Sequence, residues 1–121
     1  FQENIPKIEV FQKIFNELKK AKSLGIRIAI GTGTRTANAT RILKEKDLFD
    51  YIDALVTADD VTRHKPNPDT FLVAAKRLEL EPQDCLVFED GQLGIKAALR
   101  GGFDCIEVKD NEMINYFESD R

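Results

Sequence analysis

A chain of 121 residues that is 42% hydrophobic and 32% charged has the composition of one globular domain and is too short for two. Lys and Arg total 18 against 21 for Asp and Glu, a net charge of −3, so the basic footprint of a nucleic-acid binder is missing and no nucleic-acid partner is expected. No apolar run reaches the roughly 20 residues that a bilayer crossing needs, no charged-then-apolar leader opens the sequence, and the two cysteines fit neither a disulfide framework nor a metal-ligand spacing. The expectation is therefore an untargeted protein of the reducing cytoplasm with no membrane partner.

The first predicted helix places Val10, Phe11, Ile14, Phe15, Leu18, Ala21 and Leu24 at three- and four-residue steps and stops at Gly25. Ile26-Arg27-Ile28-Ala29-Ile30 is short and β-branched, which predicts a mostly buried strand ending in the loop-forming run Gly31-Thr32-Gly33-Thr34. Helical composition returns over residues 36–46 with Ile42 and Leu43 as the buried pair, and Ala54-Leu55-Val56 predicts a second strand ending at Thr57. In the next helix Asn67 is the expected N-cap, Pro68 the first helical residue, and Phe71, Leu72, Ala75 and Leu78 the inward stripe. Cys85-Leu86-Val87-Phe88 is the clearest strand; Glu89-Asp90-Gly91 follows it, then a helix through Ile95, Ala98 and Leu99 that stops at Gly101-Gly102. A strand over 105–108 and a short helical tail from Met113 to Phe117 complete the pattern, and Cys85 and Cys105, inside strands, read as small buried hydrophobes. This alternation predicts an α/β fold, a Rossmann-like parallel sheet with helices on both faces, whose ligands bind at the carboxyl ends of the strands.

Three polar groupings fall at such ends. Thr32-Gly33-Thr34 offers a hydroxyl and backbone donors to an anion where a helix begins, although Thr34 or Thr36 could simply cap that helix. Thr36 stands where a dinucleotide fingerprint needs its third glycine, so that motif fails. In Arg63-His64-Lys65-Pro66-Asn67-Pro68-Asp69 two prolines stiffen the backbone around Lys65, and a fixed ammonium suits a phosphate and the charge of a phosphoryl transition state better than a mobile surface lysine does. An ordinary solvated lysine is the alternative, and His64 has no neighbouring histidine or cysteine to complete a metal site. Glu89-Asp90 places two hard carboxylates at the end of the most hydrophobic strand, a donor pair suited to Mg²⁺, although an Asp-Gly turn at Asp90-Gly91 would also account for it.

Taken in order, the runs Ile28-Ala29-Ile30-Gly31-Thr32-Gly33, His64-Lys65-Pro66-Asn67-Pro68-Asp69-Thr70-Phe71 and Val87-Phe88-Glu89-Asp90 resemble motifs two, three and four of the haloacid dehalogenase-like hydrolase superfamily, in the branch that contains beta-phosphoglucomutase and small sugar-phosphate phosphatases. The resemblance covers most of the chain from Ile8 to Val108. It implies Mg²⁺-dependent phosphoryl transfer, as a phosphatase or phosphomutase, on a small phosphorylated metabolite such as a sugar phosphate, through an aspartyl-phosphate. Thr32 and the Gly33 amide would then bind the transferring phosphate, Lys65 would neutralise charge on it, and Asp90, with Glu89 in support, would hold the metal. A receiver domain uses similar residues but places its acids first and its lysine last, the reverse of the order Thr32, Lys65, Glu89-Asp90.

The family's first motif, an Asp-x-Asp pair that supplies the nucleophile, occurs nowhere in these residues. The resemblance places that motif's strand at the centre of the sheet, between the strands ending at Thr32 and Glu89, and a substrate-selecting cap after it. The expectation is that residues 1–121 are the carboxyl-terminal part of a single core domain whose nucleophile strand and cap lie upstream of Phe1. Such a segment would be inactive alone and prone to associate through its open edges, whereas the full-length protein would be a monomer. The competing expectation is a non-catalytic relative that binds phosphate or Mg²⁺.

Overall fold

The computed structural model describes residues 16–119 apart from 18 and 21. Of the first predicted helix, Val10, Phe11, Ile14, Phe15, Leu18 and Ala21 lie outside the described residues; residues 16, 17, 19, 20 and 22 are helical, and the chain turns out through Gly25 at φ +91°. Leu24 is 83% exposed and so leaves the predicted buried stripe.

The first strand, β1, spans Ala29–Gly31, later than predicted. The Ile28 amide is taken by the Asp53 carboxylate at 2.7 Å, so Ile28 joins the neighbouring strand only through its carbonyl, which accepts the Ala54 amide at 3.3 Å, and the ladder starts there. Helix α1 (Thr36–Glu45) buries Ile42 and Leu43 as expected. Neither Thr34 nor Thr36 caps it; the Thr36 amide donates instead to Asp59 Oδ2 at 2.9 Å, from the loop after β2 (Ala54–Val56). Strands β1 and β2 run parallel with Ile30 opposite Leu55. Helix α2 (Asp69–Arg77) starts one residue later than predicted, with Pro68 at the N-cap, because the Asn67 side chain donates back to the His64 carbonyl at 3.1 Å. Its buried face is Thr70, Phe71, Ala74 and Ala75, while Leu72 points outward.

Strand β3 (Leu86–Glu89) excludes Cys85, which is half-buried with its thiol toward the Glu81 carbonyl; only Cys105 is the fully buried cysteine expected. Helix α3 (Gln92–Arg100) buries Ile95, Ala97 and Ala98, and β4 (Asp104–Lys109) pairs parallel with β3. The predicted helical tail is instead a strand, β5 (Glu112–Phe117), antiparallel to β4 with Lys109 opposite Glu112. The two-residue turn between them decides this, since Asp110 and Asn111 sit at φ 51° and 64°, the paired left-handed geometry whose twist matches a hairpin.

The strands therefore form two sheets, β1-β2 and β3-β4-β5, with no ladder between β1 and β3 among the described residues. Helix α2 bridges them: it packs on β1 and β2 and also against α3. Phe71 of α2 meets Phe103 edge-on at 6.1 Å between centroids, in a core completed by Ala75, Val87, Ile95, Ala97, Ala98 and Cys105. No described helix is long and apolar enough to cross a membrane.

Two carboxylates hold the β1-β2 half together and set its response to acid. Hydrogen bonds from Lys22 and then the Ile28 amide hold Asp53 below its ordinary value of 3.8, and the Thr57 amide, then Arg77, do the same for Asp60. A carboxyl whose folded value is depressed contributes stability that is present above its unfolded value and lost as pH falls through the folded one. The urea midpoint is thus expected to stay flat down to about pH 5 and to fall below about pH 4. Both groups are largely solvated, so the loss per group is small. A midpoint that holds to pH 2 would remove these pairs from the stability of the fold.

Candidate active site

The loop after β1 continues the ladder for one more bond, from the Thr32 amide to the Val56 carbonyl at 2.9 Å. The Thr34 amide then donates to Thr32 Oγ1 at 3.1 Å, which fixes that hydroxyl as an acceptor and leaves its own proton to donate elsewhere. Gly33 is exposed, with open space where a side chain would stand. Thr34 is buried, and its hydroxyl has no partner among the described residues. Close packing of α2 on the strand end depends on Gly31: a Cβ there would stand 2.7 Å from Thr70 Cγ2 and 3.7 Å from the Phe71 ring.

The loop into α2 is braced at several points. Arg63 grips Asp69 with two hydrogen bonds, Nε to Oδ2 at 3.0 Å and Nη2 to Oδ1 at 2.9 Å. Arg100 of α3 reaches the Pro66 carbonyl at 3.4 Å, the Lys65–Pro66 bond is cis, and His64 is exposed. Between these braces Lys65 turns inward. Its Nζ donates to Glu89 Oε2 at 3.0 Å and stands 4.9 Å over the Phe71 ring centroid, which favours a cation on its face.

Glu89 ends β3 and is 7% exposed. Oε1 accepts the Asp90 amide at 3.0 Å and the Gly91 amide at 3.3 Å, so both oxygens are engaged. Burial alone would push this carboxyl up; the Lys65 charge, with hydrogen bonds from Asp90 and Lys65, outweighs it and holds the carboxyl below its ordinary value. Behind it, burial first, then the charges of Glu89 and Glu107, push the Cys105 thiol up to about 12, so that this sulfur is an inert packing group.

The structure thus brings Lys65, Glu89 and Asp90 together, while Thr32 bonds to Val56 and Thr34, and its link to the others is through α2, which packs on β1 and carries the Phe71 ring beneath Lys65. Sequence reasoning missed Phe71 as the platform beneath Lys65, Asp59 as the cap of α1, and the Arg63–Asp69 brace. Only the brace had a local signal, opposite charges flanking the two prolines. For a metal, no group of three or more His, Cys, Asp or Glu side chains is gathered among the described residues. Two hard carboxylates at one strand end, Asp90 and the already hydrogen-bonded Glu89, are oxygen donors of the kind that suits Mg²⁺, which takes one or two carboxylates and completes its octahedron with water and phosphate.

The model of the haloacid dehalogenase-like hydrolases matches residues 4–102. Among characterised proteins, the fructose-1-phosphate phosphatase YqaB of Escherichia coli is 46% identical over 82 residues, covering 68% of this chain and 44% of its own. The phosphorylated carbohydrates phosphatase of Thermotoga maritima is 34% identical over 106 residues, covering 78% and 49% respectively. Of solved structures, CbbY from Rhodobacter sphaeroides in complex with phosphate superposes at a TM-score of 0.74 with 25% identity, over 91% of this chain and 51% of CbbY. A HAD phosphatase from Thermococcus onnurineus superposes at 0.73 with 28% identity, over 85% and 48%. The chain spans about half the length of the relatives it matches.

Proposed function

Because the chain belongs to the haloacid dehalogenase-like hydrolase family, we propose that it is part of a Mg²⁺-dependent phosphatase or phosphomutase acting on a small phosphorylated metabolite, a sugar phosphate in the first instance. The observation that carries the reading is the Lys65 ammonium, immobilised between the Glu89 carboxylate at 3.0 Å and the Phe71 ring at 4.9 Å, at strand ends that also present Thr32 and Asp90. Phosphoryl transfer asks a protein mainly for positioning and for charge compensation, and an ammonium that needs no reorganisation supplies the second.

In this reading the Thr32 hydroxyl and the Gly33 amide bind the equatorial oxygens of the phosphoryl group, and Lys65 neutralises their charge. Asp90 would hold Mg²⁺, with Glu89, whose two oxygens already accept hydrogen bonds, in support through bound water, and the ion when bound supplies further charge neutralisation. The group that accepts the phosphoryl as an aspartyl-phosphate is a carboxylate outside these residues, since no Asp-x-Asp pair is among them. Among the described residues the outer flanks of β1 and β3 pair with no strand, which supports a strand carrying it between them, and left open they would favour association of this segment alone. The names of the sugar-phosphate-acting relatives support the substrate class.

The test is release of inorganic phosphate from a panel of sugar monophosphates by the complete protein, with Mg²⁺ and with EDTA. EDTA-sensitive release from at least one substrate is the expected result. Retained phosphate binding without release or transfer on any of them would replace the enzyme with a binding module.

A further inference from the structure

Helix α3 contains a glycine in its first turns where composition alone favours alanine. Gly94 is buried, and a Cβ built on it would lie 2.1 Å from Glu89 Cδ, 2.2 Å from Oε2 and 2.3 Å from Cγ, its three nearest atoms. No carbon tolerates such separations, so any side chain at 94 must displace the Glu89 carboxylate. That carboxylate cannot move without cost elsewhere, because Oε2 holds Lys65 and Oε1 holds the amides of Asp90 and Gly91. Glycine in a helix interior is a poor helix former, and φ at Gly94 is not in the left-handed region, so the backbone itself gives no reason for it.

We infer that Gly94 is a positioning residue: the missing side chain is the seat of the Glu89 carboxylate, and through Glu89 it fixes the Lys65 ammonium and the start of α3. The inference rests on the reading of Glu89 and Lys65 as site residues for its functional meaning, but its geometry stands without it. Chemically, the helix gives up propensity at one position so that a charged side chain can lie flat against its backbone, shielded from water, with each oxygen met by a donor.

The test is a double-mutant cycle on the complete protein, read as thermal midpoints without substrate or metal. Gly94→Ala is expected to lower the midpoint by about 5–10 °C. In a Glu89→Ala background the same change is expected to raise it by about 2–4 °C, because the clash is gone and alanine is the better helix former. Should Glu89→Ala not fold, with Lys65 left unpaired, Lys65→Met/Glu89→Ala serves as the background. Amide spectra give a second reading: the Asp90 and Gly91 resonances should move and exchange faster in Gly94→Ala, while the Ile42 amide in α1 stays in place. An equal loss in both backgrounds would assign Gly94 to backbone packing, and no loss in the native background would show that the seat is not needed; either overturns the inference. Failure of the enzymatic reading would appear only in the phosphate-release assay, so the two outcomes separate.

Discussion

Truncation of Lys65 to alanine in the complete protein is expected to cost about 3–5 kcal/mol of stability and to lower kcat/KM by roughly 10²–10³-fold. Both effects have one origin. Lys65 and Glu89 lie 3.0 Å apart with side-chain exposures of 21% and 9%, so removing the cation leaves a charge that water reaches poorly. Such a group must either stay ionised without its partner or take up a proton, and both outcomes are unfavourable near neutral pH. The two consequences can be told apart with Lys65→Met/Glu89→Gln, in which no uncompensated charge remains. That variant should recover most of the stability in urea denaturation and none of the activity. Unchanged stability of Lys65→Ala would show that solvent screens the pair, and unchanged turnover would remove Lys65 from charge compensation.

Replacement of Asp90 by asparagine separates the metal from the fold. Asparagine has nearly the shape of aspartate, keeps the backbone amide that donates to Glu89 Oε1 and still offers a side-chain donor to that carboxylate, so the thermal midpoint is expected to stay within a few degrees of the native one. Turnover at modest Mg²⁺ should fall by roughly 10²-fold or more, because a charged oxygen donor to a hard cation has been replaced by a neutral one and the stabilisation of transition-state charge goes with it. The measurement is initial rate against Mg²⁺ concentration at saturating substrate. Near-native turnover across that titration would take the metal away from Asp90.

The elements that the sequence made legible are those whose pattern and neighbours agree. Ile42 and Leu43 in α1, the strand at Ala54–Val56 and the helix ending at Gly101 needed only periodicity and a stop signal. The tail failed for a physical reason: Met113, Tyr116 and Phe117 fall at three- and four-residue steps as a helix would place them, and so short a stretch is too little for that spacing to exclude a strand. Two left-handed residues at the turn settled it. At the candidate site, the places of Thr32, Lys65 and Glu89-Asp90 at strand ends or in the loops that follow them came from the strand pattern, whereas local sequence alone left each of them a plainer alternative and only the ordered resemblance of three runs set those aside. The 24-residue link from Lys65 to Glu89, the Phe71 platform and the room made by Gly94 were not legible, because each is a meeting of segments distant in sequence.

The division of the strands into two sheets bears on how firmly the site keeps its shape. Thr32 follows a strand of one sheet and Glu89-Asp90 closes a strand of the other, and among the described residues the link between them is the side-chain packing of α2 together with the Lys65–Glu89 bond rather than a hydrogen-bonded ladder. A ladder fixes strand spacing within tenths of an ångström, whereas packed side chains yield more readily. Within these residues alone the alignment of the two halves is accordingly the soft coordinate, and the strand proposed to lie between β1 and β3 would, by pairing with both, be what locks it.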